Sequence, residues 1–137
     1  MNDYIGMAKP HKGHQRLIAD LLKTINEQLN EPYIPLPECN LDDTDQYSKQ
    51  PDVSIIDEDD ERIVLTIELS SKQKVKADIV KMQAYMLELD ITEGFVIEYL
   101  AVGYASYEIK NWYRITPEHV YENESYSELL EIELNNL

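Results

Sequence analysis

Residues 53–69 carry the pattern that most restricts the fold. Val53, Ile55 and Ile56 on one side, and the run from Ile63 to Leu69 on the other, are rich in residues that suit a pleated, half-buried surface. Between them, Asp57-Glu58-Asp59-Asp60-Glu61 is short and wholly acidic, so the two runs read as a β-hairpin. With the turn centred on Asp60, Ile56 pairs with Val64, Ser54 with Thr66 and Asp52 with Glu68. Side chains alternate faces along a strand. Val53, Ile55, Ile63, Leu65, Ile67 and Leu69 then form one apolar face, expected to meet the main core. The other face is mixed and ends with two carboxylates opposed, which destabilises a sheet. A divalent cation would turn that repulsion into binding, because hard cations take carboxylate oxygens. A shifted register, or two acids solvated at a sheet end, would explain the pair without a ligand.

At 137 residues the chain is long enough for one domain with a sizeable core. A hydrophobic fraction of 43% argues for a globular fold. The single cysteine, Cys39, cannot form an internal disulfide and fits a reducing compartment. No hydrophobic run is long enough to span a bilayer, and MNDYIGMAKPHKGH has no apolar segment of signal-peptide type. A cytoplasmic protein without membrane association is expected. Twelve Lys and Arg stand against 27 Asp and Glu, a net charge of −15. Nucleic-acid binding then requires the few cations to share one face. They cluster at Lys9, His11, Lys12, His14 and Arg16, and again at Lys72, Lys74, Lys76 and Lys81. The acid excess is explained equally well by solubility.

Upstream of the hairpin, Leu17, Ile18, Leu21, Leu22, Ile25 and Leu29 make one stripe of an amphipathic helix starting near His14. His14 falls on the core side of its first turn, where histidine is more often a structural hydrogen-bonding residue than a ligand. Pro32, Pro35 and Pro37 mark an extended edge segment, and residues 40–46 a surface loop. Asp42, Asp43 and Asp45 in that loop lack the glycine and distant glutamate of a calcium-binding EF-hand. After the hairpin, Ser70 or Ser71 suits a helix N-cap. Val75, Ile79, Met82, Met86 and Leu89 form the buried stripe, with Asp78, Lys81 and Tyr85 on its flank. The helix ends near Asp90, Gly94 marks a turn, and Phe95 to Leu100 read as a buried strand. Val102-Gly103 turns into a strand through Tyr107, Ile109, Trp112 and Tyr113, ended by Thr116-Pro117. The acidic tail from Glu118 is expected to form a short strand and a terminal helix. Ten tyrosines suit a homodimer interface or a tyrosine-rich ordinary surface.

Pro51-Asp52, a hairpin, and then Glu68 resemble the PD-(D/E)XK nuclease superfamily. Ser70-Ser71, the helix bearing Asp78, Lys81 and Tyr85, the strand Phe95-Val96-Ile97-Glu98-Tyr99, and Gly13-His14-Gln15 opening the first helix are more narrowly similar to the Uma-type restriction endonuclease family. The resemblance runs from the first helix to about residue 115. It implies a restriction-endonuclease-like α/β (α+β) fold, a central mixed sheet flanked by helices, with residues 1–137 as one domain. It implies that Asp52 and Glu68 hold Mg²⁺, with Mn²⁺ an alternative. The main-chain carbonyl of Leu69 would be a further ligand, and His14 would lie close to the metal. The superfamily lysine would fall where Ser70 stands; the Uma-type pattern carries it on the following helix, which points to Lys81. Judged against Tyr85, the spacing from Glu68 to Lys81 is one residue short. The family aspartate then aligns with Ala77, and Asp78 is its displaced equivalent. Lys72 is the rival lysine. The implied activity is Mg²⁺-dependent hydrolysis of DNA by a homodimer. The alternative is a catalytically inactive nuclease-fold protein acting as an interaction or assembly module, which the net charge and Ser70 favour. A third reading, from charge alone, is an acid-rich mimic of DNA.

Overall fold

The computed structural model describes residues 12–41 and 50–137. Helix α1 (Lys12–Gln28) is followed by β1 (Tyr33–Pro37), β2 (Val53–Asp57), β3 (Arg62–Ser70), α2 (Val75–Leu89), β4 (Glu93–Val102), β5 (Ser106–Ile115) and β6 (Val120–Glu122). The six strands form one mixed sheet in sequence order. β3 and β4 are parallel, joined by the α2 crossover, and every other neighbouring pair is antiparallel. The proline-bearing segment is an edge strand, where a missing N–H removes little from the ladder.

The two helices cover opposite faces. On one, Leu17, Leu21 and Ile25 of α1 pack on Val53, Ile55, Leu65, Ile67, Phe95, Ile97 and Trp112. On the other, Met82, Tyr85 and Met86 of α2 pack with Val96, Ile115 and Ile91. Residues 65–70 are therefore buried on both faces, as expected beside a parallel crossover. Each fully buried aliphatic side chain contributes about 1.5–3 kcal/mol.

The hairpin register holds from Val53 to Ile55 and then slips. Ser54 pairs with Thr66, but a bulge between Ile55 and Ile56 sets Ile56 opposite Ile63 rather than Val64. An extra residue in one strand re-aims the side chains beyond it. Ile63 consequently packs on the α2 side, leaving the apolar face that meets α1. Neither serine caps α2. Ser70 ends β3, the N–H groups of Lys74 and Val75 donate to the Ser71 carbonyl at 3.0 and 2.9 Å, and the N-cap is Lys74, with no side-chain cap bond. Tyr85 is in the core and not merely on the flank. Gly94 lies within β4 and makes no turn; a Cβ there would sit 2.7 Å from Met82 Sδ and 3.3 Å from the Thr66 carbonyl oxygen. Its role is close helix-to-strand approach, and the turn comes earlier, at Asp90 in the left-handed region.

The tail forms no terminal helix. It makes a small hairpin of β7 (Tyr126–Ser127) and β8 (Ile132–Glu133), placing Ile132 and Leu134 in the α1-side core. A buried cluster holds the tail against β4 and β5. The Arg114 Nε donates to Glu93 Oε2 at 2.6 Å, the Ser127 hydroxyl to Glu93 Oε1 at 2.5 Å, and the Glu128 N–H to Glu93 Oε2 at 2.9 Å. The expected loop over residues 40–46 falls largely outside the described residues, as do Lys9 and His11. Among the described residues, no helix is long and apolar enough to cross a membrane.

Candidate active site

The end of the β2–β3 hairpin gathers the acids. Asp52 stands just before β2, and its Oδ2 accepts the Leu69 N–H at 2.7 Å, tying it to the end of β3. Its Oδ1 lies 3.3 Å from His14 Nε2 in the first turn of α1. That turn comes close because residue 13 is glycine: a Cβ there would collide with the Ser106 carbonyl oxygen and lie 3.3 Å from Ala101 Cβ. Gly13 thus lets α1 enter against the β4–β5 turn with His14 facing the hairpin end. The hydrogen bond to Asp52 raises the His14 pKa above its ordinary 6.5, against the opposing effect of burial, with Asp52 and Glu38 charges adding to the rise.

This pairing has a pH consequence. The folded state binds the His14 proton more tightly than the unfolded chain does, so stability falls as pH rises through that window. The contribution is fully present below about 6.5, the unfolded value, and is lost once the raised folded pKa is passed. Urea unfolding of the native chain and of His14→Gln from pH 5.5 to 8.5 should show the native advantage at the acid end and convergence at the alkaline end. A constant difference across that range would mean the pair does not act this way.

Glu68 is 4% exposed, on the same face of β3 as Thr66 and Ser70. The Tyr85 hydroxyl donates to Thr66 Oγ1 at 3.0 Å. Its pKa is pushed well up, first by burial and then by the charges of Glu68, Asp52 and Asp78, with the Thr66 bond opposing. Three carboxylates from three separate elements therefore act on one phenol. The Ser70 hydroxyl donates to Asp78 Oδ2 at 2.7 Å, so the end of β3 is engaged with α2.

A cavity of about 480 Å³ opens beside these acids, lined by Leu69, Ser70, Lys74, Asp78, Tyr99 and Leu100 among others. The cation on its wall is Lys74. Lys81, between Asp78 and Tyr85 on α2, and Lys72, in the turn after β3, are both exposed and do not line it. Another cavity, about 320 Å³, lies at the other end of β3, around Ile56, Arg62, Ile63 and Leu89. Asp52 and Glu68 line neither cavity; Asp78 is the carboxylate on the wall of the larger one.

Two lining features escaped sequence reading. Lys74 reads only as one of a lysine group, because the delayed start of α2 is what turns its residue toward the cavity. Tyr99 lines the cavity and sits 6.0 Å from His14, ring to ring. A register shift between Glu98 and Tyr99 re-aims it, and no residue type marks that shift in the sequence.

Among the described residues, no three His, Cys, Asp or Glu side chains close around a common point. The available donors are two carboxylates and main-chain oxygen. That set fits Mg²⁺, which keeps several waters and takes one or two carboxylates. His14 faces Asp52 as a proton donor.

No family model matches the chain, and no curated protein matches it. Among solved structures it is similar to one from Anabaena variabilis ATCC 29413 described as a "putative nuclease belonging to DUF820". The likeness covers 95% of this chain and 82% of that one, with a TM-score of 0.59 and 15% sequence identity. At that identity the likeness is one of fold: the α+β architecture, a six-stranded mixed sheet with a helix on each face, is shared with that protein.

Proposed function

We propose that the chain is a Mg²⁺-dependent endonuclease acting on DNA, as a homodimer. The observation that carries this reading is the meeting, at the end of β3, of Asp52 tied to the Leu69 N–H and Asp78 tied to Ser70, beside a cavity with Lys74 on its wall. Carboxylates at one strand end with a cation nearby are what phosphodiester hydrolysis needs.

Asp52 and Glu68 would hold the metal with the Leu69 carbonyl. When bound, it would polarise the scissile phosphate and lower the pKa of a water. The Leu69 N–H and His14 fix the rotamer of Asp52, so its carboxylate is oriented in advance. The Ser70–Asp78 bond holds the start of α2 against the end of β3. By the family resemblance Lys81, on α2 next to the cavity-lining Asp78, would offset the charge that develops on the phosphate, and Lys74 would meet the nucleic-acid backbone at the cavity mouth. Mn²⁺ would serve in place of Mg²⁺.

The lysine roles separate in one assay, nicking of supercoiled plasmid with Mg²⁺. Lys81→Ala should lower the single-turnover rate by roughly 10²–10³, the scale for removing one group that stabilises transition-state charge. Lys74→Ala should weaken binding several-fold with the rate at saturation kept, and Lys72→Ala should change little. Native rates in Lys81→Ala would remove that lysine from the chemistry.

One observation favours a second reading. Ser70 occupies the superfamily lysine position and its hydroxyl bonds Asp78, as would suit a catalytically inactive member of the fold that serves as an interaction or assembly module. Metal-independent behaviour of a stable dimer, with no nicking by the native chain, would establish it.

A further inference from the structure

Helix α2 is apolar on two sides. Met82, Tyr85 and Met86 face the sheet, yet the outward side carries Ala77, Val80, Ala84 and Leu87, all exposed. Val80 is 67% exposed and Leu87 74%. Their spacing of three, four and three residues is the a/d pattern of a helix–helix seam. At 100° per residue all four lie within about 40° of the line opposite Met82.

We propose that this stripe is the contact between two copies of the chain, with the two α2 helices packed antiparallel about a two-fold axis at the level of Met82. The inference deepens the homodimer reading above and rests on it; the nuclease chemistry is independent of it. A two-fold interface must be self-complementary. Reflecting the stripe about Met82 sets Val80 against the partner's Ala84, and Ala77 against the partner's Leu87, so a small residue faces a large one in every layer. Charge follows the same symmetry. Lys74 and Lys76 lie toward the start of the helix, where Asp78 is engaged by Ser70, Lys81 lies beside the axis, and Glu88 and Asp90 lie toward its end. Antiparallel packing brings the basic half of each helix to the acidic half of the other, whereas parallel packing would oppose like charges. The Gln83 amide donates to the Thr116 and His119 carbonyls, so the β5–β6 turn flanks the seam and widens the contact. A specific interface needs about 800 Å² from each partner, more than four side chains supply, so the proposed contact includes this flank. The net charge of −15 opposes self-association at low ionic strength, so physiological salt should favour the dimer.

Sedimentation equilibrium of the full chain in 0.15 M salt, from 1 to 100 µM, tests the proposal. The native chain should sediment as a dimer. Val80→Glu/Leu87→Glu should sediment as a monomer with an unchanged melting temperature, since both positions are on the surface of the folded protomer. Lys76→Glu should weaken association about tenfold. A dimeric Val80→Glu/Leu87→Glu variant would overturn the α2 interface while leaving the dimer standing. A monomeric native chain would overturn both. Dimers unaffected by Lys76→Glu would overturn the antiparallel arrangement.

Discussion

Replacing Glu68 by alanine should abolish DNA cleavage, with a loss of 10²–10³-fold or more, the scale for one group that stabilises charge in the transition state. Glu68 is nearly fully buried on the central strand β3, and its charge, with those of Asp52 and Asp78, reaches Tyr85. Carboxylates gathered at one strand end repel one another. A bound cation would reverse the sign of that term. The mutation should therefore affect metal dependence as well as rate. A ligand present at ten times its dissociation constant stabilises the folded state by about 1.4 kcal/mol. The native melting temperature should rise with millimolar Mg²⁺, while Glu68→Gln, which keeps the side-chain volume, should show no such rise and should not cleave. Glu68→Ala that cleaves at the native rate would end the proposal.

The largest loss of stability should come from Arg114→Leu. Glu93 is 2% exposed and its carboxylate accepts from Arg114, Ser127 and the Glu128 main chain. The guanidinium is held firmly charged: the Glu93 bond and charge, with Glu128 and Glu124, overcome the lowering effect of burial. Removing one partner of a buried pair leaves an uncompensated charge and costs about 3–5 kcal/mol. For a chain of this size that is a fall in melting temperature of roughly 10–20 °C. Arg114→Leu/Glu93→Gln should recover much of it, because the stranded charge is gone. Thermal unfolding of the single and double variants decides the matter; equal losses in both would mean packing, not charge, governs the site. Because this cluster anchors the tail to β4 and β5, faster proteolysis after residue 123 should accompany the single change.

The local β-hairpin was legible because its evidence is dense: alternating β-branched residues, an acidic turn, and two apolar helical stripes that meet opposite faces. The Ser54–Thr66 register followed from the turn alone. What failed was whatever depends on one inserted residue. The bulge at Ile55/Ile56 moved Ile63, and the shift at Glu98/Tyr99 brought a tyrosine into the cavity. A bulge inserts one residue without altering composition, so periodicity carries no trace of it. The tail was misread as helical because Leu129, Leu130, Ile132 and Leu134 suit a short amphipathic stripe. The left-handed backbone at Glu131 and the Ser127–Glu93 bond, both set by tertiary contact, fold it into a hairpin instead. Among the candidate site residues, Asp52 is brought into contact with His14 and with the Leu69 main chain beside Glu68. Lys81 and Lys72 do not line the cavity beside Ser70 and Asp78, because a lysine's reach is not written in its spacing.

The central claim is that Asp52 and Glu68 share one cation, and crystals soaked in Mn²⁺ test it most directly. The account predicts an anomalous peak bridging an oxygen of each carboxylate, at about 2.0–2.3 Å, with the Leu69 carbonyl beside it. Carboxylates that stay apart with no peak between them at millimolar Mn²⁺ would contradict it.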